Sequence, residues 1–130
     1  MRRIFLAILL CTVLSACQPA IAKNKISIEL SDFSFTPDAF TIKAGTAVTM
    51  TITNSGTIQH DLNIMKLGSD VGGMFDEEDR QNVLWEAKVE PGETLTAIFT
   101  VPDEAGSYQV ICSMPGHLQA GMAGSIEVVR

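Results

Sequence analysis

From residue 25 onward, apolar residues recur with period two in runs of about eight residues or fewer, and each run is stopped by a Pro, Gly or Asn turn. No long stretch carries the 3.6-residue spacing of a helix, so the chain must bury its apolar faces between sheets. Lys25–Leu30 alternates polar and apolar residues, and Phe33 and Phe35 continue that alternation until Pro37-Asp38 breaks it. Both Phe are expected in the core. Phe40–Lys43 precedes the turn Ala44-Gly45, and the β-branched run Ala47–Thr53 ends at Asn54-Ser55-Gly56.

Gln59–Ile64 places His60, Leu62 and Ile64 on one face, so His60 points inward with aliphatic neighbours. Phe75–Gln81 can form one or two helical turns, and its acidic cluster lacks the spacing of a calcium loop, which leaves it a solvated face. Leu84–Val89, Thr94–Val101, Ser107–Cys112 and Gly124–Val129 complete the strands, with Trp85 packed on the core or covering one end of the barrel. The pattern predicts an all-β domain of seven to eight short strands, two antiparallel sheets packed face to face as a Greek-key β-sandwich or barrel.

One loop in this pattern carries chemistry. Cys112-Ser-Met-Pro-Gly-His117-Leu-Gln-Ala-Gly-Met122 sets a thiol, an imidazole and a thioether at equal intervals, four residues between each pair. Taken singly, a Cys at a strand end is a small buried hydrophobe, a Met fills gaps, and a loop His needs no metal. Taken together, with Pro115, Gly116 and Gly121 able to fold the loop back on itself, the donors suit copper in a trigonal thiolate site with a weak axial Met. The second imidazole such a site needs can come only from His60, since the chain has two His in all.

The N-terminus reads as an export signal. Met1-Arg2-Arg3 and the apolar run Ile4–Val13 are too short together to span a bilayer as a helix. Leu14-Ser15-Ala16-Cys17 resembles the bacterial lipoprotein processing box, so residues 1–16 are expected to be removed and Cys17 acylated, with 17–24 as a tether and 25–130 as the domain. Cleavage near Ala20 or Ala22 is the alternative. Gln18 in place of Asp leans toward the outer membrane in a Gram-negative cell. The mature chain keeps seven Lys and Arg against fifteen Asp and Glu, a formal charge of −8, which excludes nucleic acid as a partner. Its one non-lipidated thiol, Cys112, has no disulfide partner, and metal ligation would protect it in an oxidising compartment.

These residues resemble the cupredoxins, the small type 1 (blue) copper proteins. Tyr108–Met122 is similar to the family's C-terminal ligand loop, and Asn54-Ser55-Gly56 followed by His60 is similar to its upstream half-motif. The Cys-x4-His-x4-Met spacing looks most like the rusticyanin and auracyanin branch. The resemblance implies one copper ion with His60, Cys112 and His117 as equatorial ligands and Met122 as the axial ligand.

Two positions depart from the pattern. Asp61 stands where relatives carry Asn or Ser that tie the ligand loop to the strand; a carboxylate accepts but does not donate, so that brace is expected to differ. Gln59 replaces the Gly that offers a fifth oxygen ligand in azurins. The loop lacks the second Cys of a binuclear centre, and two His cannot build an oxygen-reducing cluster. Catalysis by a Cys112–His117 pair would leave Met122 and His60 unexplained, so no enzyme is expected.

The expected function is single-electron transfer outside the cytoplasm by a lipid-anchored monomer. Its partner would be a redox protein such as a c-type cytochrome or a terminal oxidase or reductase, met through an apolar patch around His117. The alternative is sequestration or transfer of copper with the same ligands, in copper tolerance.

Overall fold

The structure is a computed structural model that describes residues 24–130. The signal segment 1–16, the lipidation site Cys17 and all but the last residue of the 17–24 tether lie outside the described residues.

Nine strands form two sheets. The strands are β1 (Asn24–Ser31), β2 (Ser34–Thr36), β3 (Ala39–Lys43), β4 (Ala47–Asn54), β5 (His60–Met65), β6 (Val83–Val89), β7 (Thr94–Thr100), β8 (Gly106–Ile111) and β9 (Ala123–Val129), with one helical turn, α1 (Glu77–Arg80), before β6. One sheet has the order β2-β1-β4-β7 and the other β3-β9-β8-β5-β6. The period-two pattern is realised directly. Ile26, Ile28 and Leu30 lie opposite Met50, Ile52 and Asn54, and Val48 and Met50 lie opposite Phe99 and Ala97, so β1, β4 and β7 share one inward row, while β5 is buried on both faces. Leu30, Val48, Met50, Ile52, Leu62, Ile64 and Ile126 are fully buried, each burial stabilising by roughly 1.5–3 kcal/mol. Trp85 on β6 packs on Phe99 of β7, ring centroids 5.8 Å apart, and so bridges the two sheets at one edge.

Two expectations are corrected here. The sheets are mixed, because β1 pairs with β4 and β3 with β9 in parallel. Parallel neighbours are joined through the other sheet, and nothing in local alternation reveals that crossover. The alternation through Phe33 and Phe35 is also broken: Ser31 pairs with Ser34, so Asp32 and Phe33 form a two-residue hairpin turn that sends β2 back along β1. Phe33 takes φ +70° and is 45% exposed, while Phe35 is buried as expected. The turn was hidden because Asp32-Phe33 lacks the glycine that usually marks one.

Candidate metal centre

The ligand loop folds back on itself through its own backbone. His117 N–H donates to the Met114 carbonyl at 3.0 Å, Met122 N–H to the His117 carbonyl at 3.0 Å, and Cys112 N–H to the Met122 carbonyl at 3.1 Å. Gly116 and Gly121 make this possible with φ of +86° and +97°, a region side-chain-bearing residues rarely enter. Cys112 follows β8 directly, and His60 opens β5. Residues 63 and 64 of β5 pair with 111 and 110 of β8, so the two strands bring His60 and Cys112 together at one end of the sandwich.

Their donor atoms converge. Nδ1 of His60 lies 3.1 Å from Nδ1 of His117 and 4.0 Å from Sγ of Cys112, while Sγ lies 3.3 Å from Nδ1 of His117. His60 and Cys112 are fully buried and His117 is 5% exposed. These separations suit donors that share one ion at bond lengths of about 2.0–2.3 Å. Met122 is fully buried at the foot of the same loop.

The orientation of the His60 imidazole is fixed from behind. Nε2 of His60 faces Oδ1 of Asp32 at 3.3 Å, which places the ring hydrogen there and leaves Nδ1 bare toward the centre. Asp32 is itself held by Thr57, whose N–H and hydroxyl each donate to it at 2.9 Å and keep its carboxyl below the ordinary range. The ring of Phe33 stands edge-on to His117, centroids 5.2 Å apart. Buried Asn54 donates to the carbonyls of Ile58 and Val89 at 2.8 Å and accepts from Gly56 N–H at 2.9 Å, shaping the loop that enters β5.

The brace between ligand loop and strand is present in an acceptor-only form, different from an Asn or Ser brace as the sequence implied. Asp61 accepts from the Ser113 N–H at 2.6 Å and from the Ser113 hydroxyl at 2.5 Å. The carboxylate needs no hydrogen of its own, because Ser113 supplies both. Asp32 was not singled out from sequence, Phe33 was placed in the core and Gly56 was read within a turn and half-motif; their contacts at the site arise only through the fold. Asn54 was read as a turn and as part of the upstream half-motif, but it also continues the inward row Val48, Met50, Ile52 as a polar residue.

Burial pushes the Cys112 thiol from its ordinary value of 9.0 up to about 12, against the backbone N–H groups of Asp61 and Met114, which favour the thiolate; the Asp61 carboxylate adds to the rise. Burial, then the neighbouring His60, lowers His117, so its imidazole is neutral and free to ligate. The metal-free thiol therefore stays protonated well above neutral pH. A shift from 9.0 to about 12 leaves about a thousandfold less thiolate at pH 8 than in the unfolded chain. Iodoacetamide should accordingly alkylate native metal-free protein at least a hundredfold more slowly than the protein in denaturant. Comparable rates would show that the fold does not hold the thiol.

Two imidazole nitrogens and a thiol sulfur turned on one another, with Met122 buried in the same loop, fit copper better than a hard cation. Residues 4–123 match the cupredoxin-like domain, and the chain belongs to that family. It is 29% identical to the copper-resistant cuproprotein CopI of Pseudomonas aeruginosa, over 85% of this chain and 79% of the relative. Reduced auracyanin from Roseiflexus castenholzii superposes with a TM-score of 0.69 at 28% identity, over 84% of this chain and 99% of that one. Rusticyanin, at 19% identity and a TM-score of 0.62 over 83% of this chain and 80% of its own, shares the fold. The cofactor defined by this family and this donor set is a single copper ion of type 1.

Proposed function

We propose that His60, Cys112, His117 and Met122 hold the copper ion, with the Met122 thioether as the weaker fourth donor, and that the protein carries single electrons between redox partners outside the cytoplasm. The observation that carries this reading is the convergence of three buried donor atoms, all within 4.8 Å of one another, in a site braced by hydrogen bonds on several sides. Bound copper supplies the one-electron Cu(I)/Cu(II) couple. The protein's share is to keep the donors in place in both states: His60 by Asp32, Cys112 by the strand it ends and by Ser113–Asp61, and His117 and Met122 by the loop backbone.

Half-exposed Phe33 against His117, with exposed Pro115 and Gly116 beside it in the loop, supports electron exchange at that end of the sandwich. The chain's acidic balance supports a basic partner, such as a c-type cytochrome, or a terminal oxidase or reductase, whose association rate falls with salt. The export signal and the Cys17 box support a lipid-anchored protein facing the periplasm or cell exterior.

The second reading is copper handling with the same ligands, and it is favoured by the likeness to CopI. The two differ in lability: a carrier keeps its ion against a Cu(I) chelator through many redox cycles, and a handling protein gives it up.

The primary test is the visible and paramagnetic resonance spectrum after one equivalent of Cu(II). An intense thiolate-to-copper band near roughly 600 nm with narrow hyperfine splitting is expected, and Cys112→Ser should abolish both. A weak, ordinary Cu(II) spectrum in the unaltered protein would sink the electron-carrier reading.

A further inference from the structure

Asp61 is 1% exposed, adjacent to His60 in the chain and one hydrogen bond from the residue that follows Cys112. Its Oδ1 accepts from the Ser113 N–H and, at 2.9 Å, from the Asn63 amide; its Oδ2 accepts from the Ser113 hydroxyl. Every group facing it is a donor, the environment of an ionised carboxylate. Lys88, its cross-strand neighbour, is turned to Glu86 at 3.2 Å, and Arg80, which lines the same concavity, to Glu77 at 3.6 Å. Among the described residues, no cation pairs with Asp61.

Asp32 repeats the arrangement at the far nitrogen of His60. One oxygen takes the Thr57 N–H and faces Nε2, the other takes the Thr57 hydroxyl, but this side chain is 38% exposed. The centre is thus flanked by two carboxylates, one dry and one wet.

We propose that the Asp61 carboxylate is a fixed negative charge that holds the centre toward its oxidised form and lowers its reduction potential, with Asp32 contributing more weakly in the same direction; the proposal rests on the type 1 copper reading above. The oxidised ion carries one more positive charge than the reduced ion, so a nearby anion stabilises it more, and most where solvent cannot screen the interaction. The carboxylate is next to His60 in the chain and bonded to the residue that follows Cys112, so it stands close to two of the ligands. Water screens Asp32, which ranks it second.

Charge and brace can be separated. In Asp61→Asn the amide oxygen can take the place of Oδ1 and accept from Ser113 N–H and Asn63. The new NH2 can donate to the Ser113 hydroxyl, which turns its own hydrogen away. Asp32→Asn works in the same manner with Thr57. Each change removes a charge and keeps the connections, and the Asp61 backbone N–H near the sulfur is untouched.

The experiment is a spectroelectrochemical titration of the copper-loaded protein and the two variants. Asp61→Asn should raise the potential by the equivalent of at least a tenfold change in the reduced-to-oxidised ratio, about 59 mV for one electron, with the thiolate-to-copper band unshifted. Asp32→Asn should raise it by less. An unchanged or lowered potential in Asp61→Asn overturns the proposal. So does a rise that comes only with an altered band, which would make Asp61 a purely geometric brace. If Asp61→Asn does not fold, Asp32→Asn decides, and a potential no higher than that of the unaltered protein overturns the assignment. Absence of the band from the unaltered protein would instead remove the type 1 reading, a failure visible before any potential is compared.

Discussion

Gly56→Ala should weaken copper binding by about 10- to 100-fold, the range typical for loss of a partner that orients a metal ligand, although residue 56 donates nothing to the ion. A Cβ at this position would lie 2.5 Å from Oδ1 of Asp32, 2.8 Å from Nε2 of His60 and 3.1 Å from Oδ1 of Asn54. These three atoms set the direction of the His60 ring and the path of its loop. Asp32 is half-exposed and can swing aside, but doing so gives up its hydrogen bond to His60. Asn54 and His60 are fully buried and have nowhere to go. The ring must tilt, and Nδ1 then leaves the point where it meets Cys112 and His117. Overpacking of this kind costs about 1–3 kcal/mol of stability as well. Competition against a copper chelator checks the affinity, and the thiolate band should weaken or shift in parallel. Affinity within threefold of the unaltered protein, with an unchanged band, would mean that the loop yields and that Gly56 does not hold the ring.

The same residue shows what could be read in the sequence and what could not. Cys112, His117 and Met122 were legible because their relation is local: a short loop with two glycines fixes which atoms can meet. His60 was legible by elimination and by alternation, as the one remaining imidazole on an inward row. Most strands were legible for the same reason, since period two is a property of neighbours. Gly56 was read as a turn and half-motif residue, but its close approach to Asp32, contributed by the β1–β2 turn, was not. Asp32 lies 28 residues before His60 and belongs to the other sheet's connection, a relation no local pattern encodes.

Phe33 failed for a related reason. Its place in an alternating run pointed inward, yet the hairpin reverses at Asp32-Phe33 and turns the ring onto His117 instead of into the core. Asp61 was noticed, but its chemistry was judged without its partner. A lone carboxylate cannot donate, and only the fold shows that Ser113 offers both an N–H and an O–H. The centre therefore sits where the sheets' ends meet. His60 and Cys112 come from one sheet, while Asp32 and Asn54 sit at strand ends of the other, Asp32 facing His60 and Asn54 bonded to Val89 of β6. A site divided in this way is rigid only if the two sheets are held in register.

Within the sheet that carries His60 and Cys112, Gly124→Ala should be a strongly destabilising substitution. Gly124 lies on β9 opposite Val110, one residue before the point where Ser125 N–H donates to the Asp38 carbonyl at 2.8 Å and β3 begins to pair with β9. A Cβ there would stand 3.3 Å from the Asp38 Cα, 3.0 Å from its carbonyl carbon and closer still to its oxygen. All three are backbone atoms, so no rotamer change relieves the contact, and β3 must lift from β9. Among the described residues β3 is an edge strand paired with β9 alone, so the whole of that pairing is at risk. The cost should reach about 3 kcal/mol, the upper end for overpacking, and lower the melting temperature by about 10 °C in a domain of this size. The strain also reaches the metal loop, because Ala123 and Met122 immediately precede the substituted residue and the Met122 carbonyl holds Cys112 N–H. Melting should be measured on metal-free protein, since bound copper adds stability by mass action and would mask part of the loss. Gly72→Ala is the matched control: nothing lies within 4 Å of its Cβ position, and it should change stability by less than about 0.5 kcal/mol. If Gly124→Ala melts within 2 °C of that control, the close approach of β3 to β9 is not what holds this edge of the sandwich together.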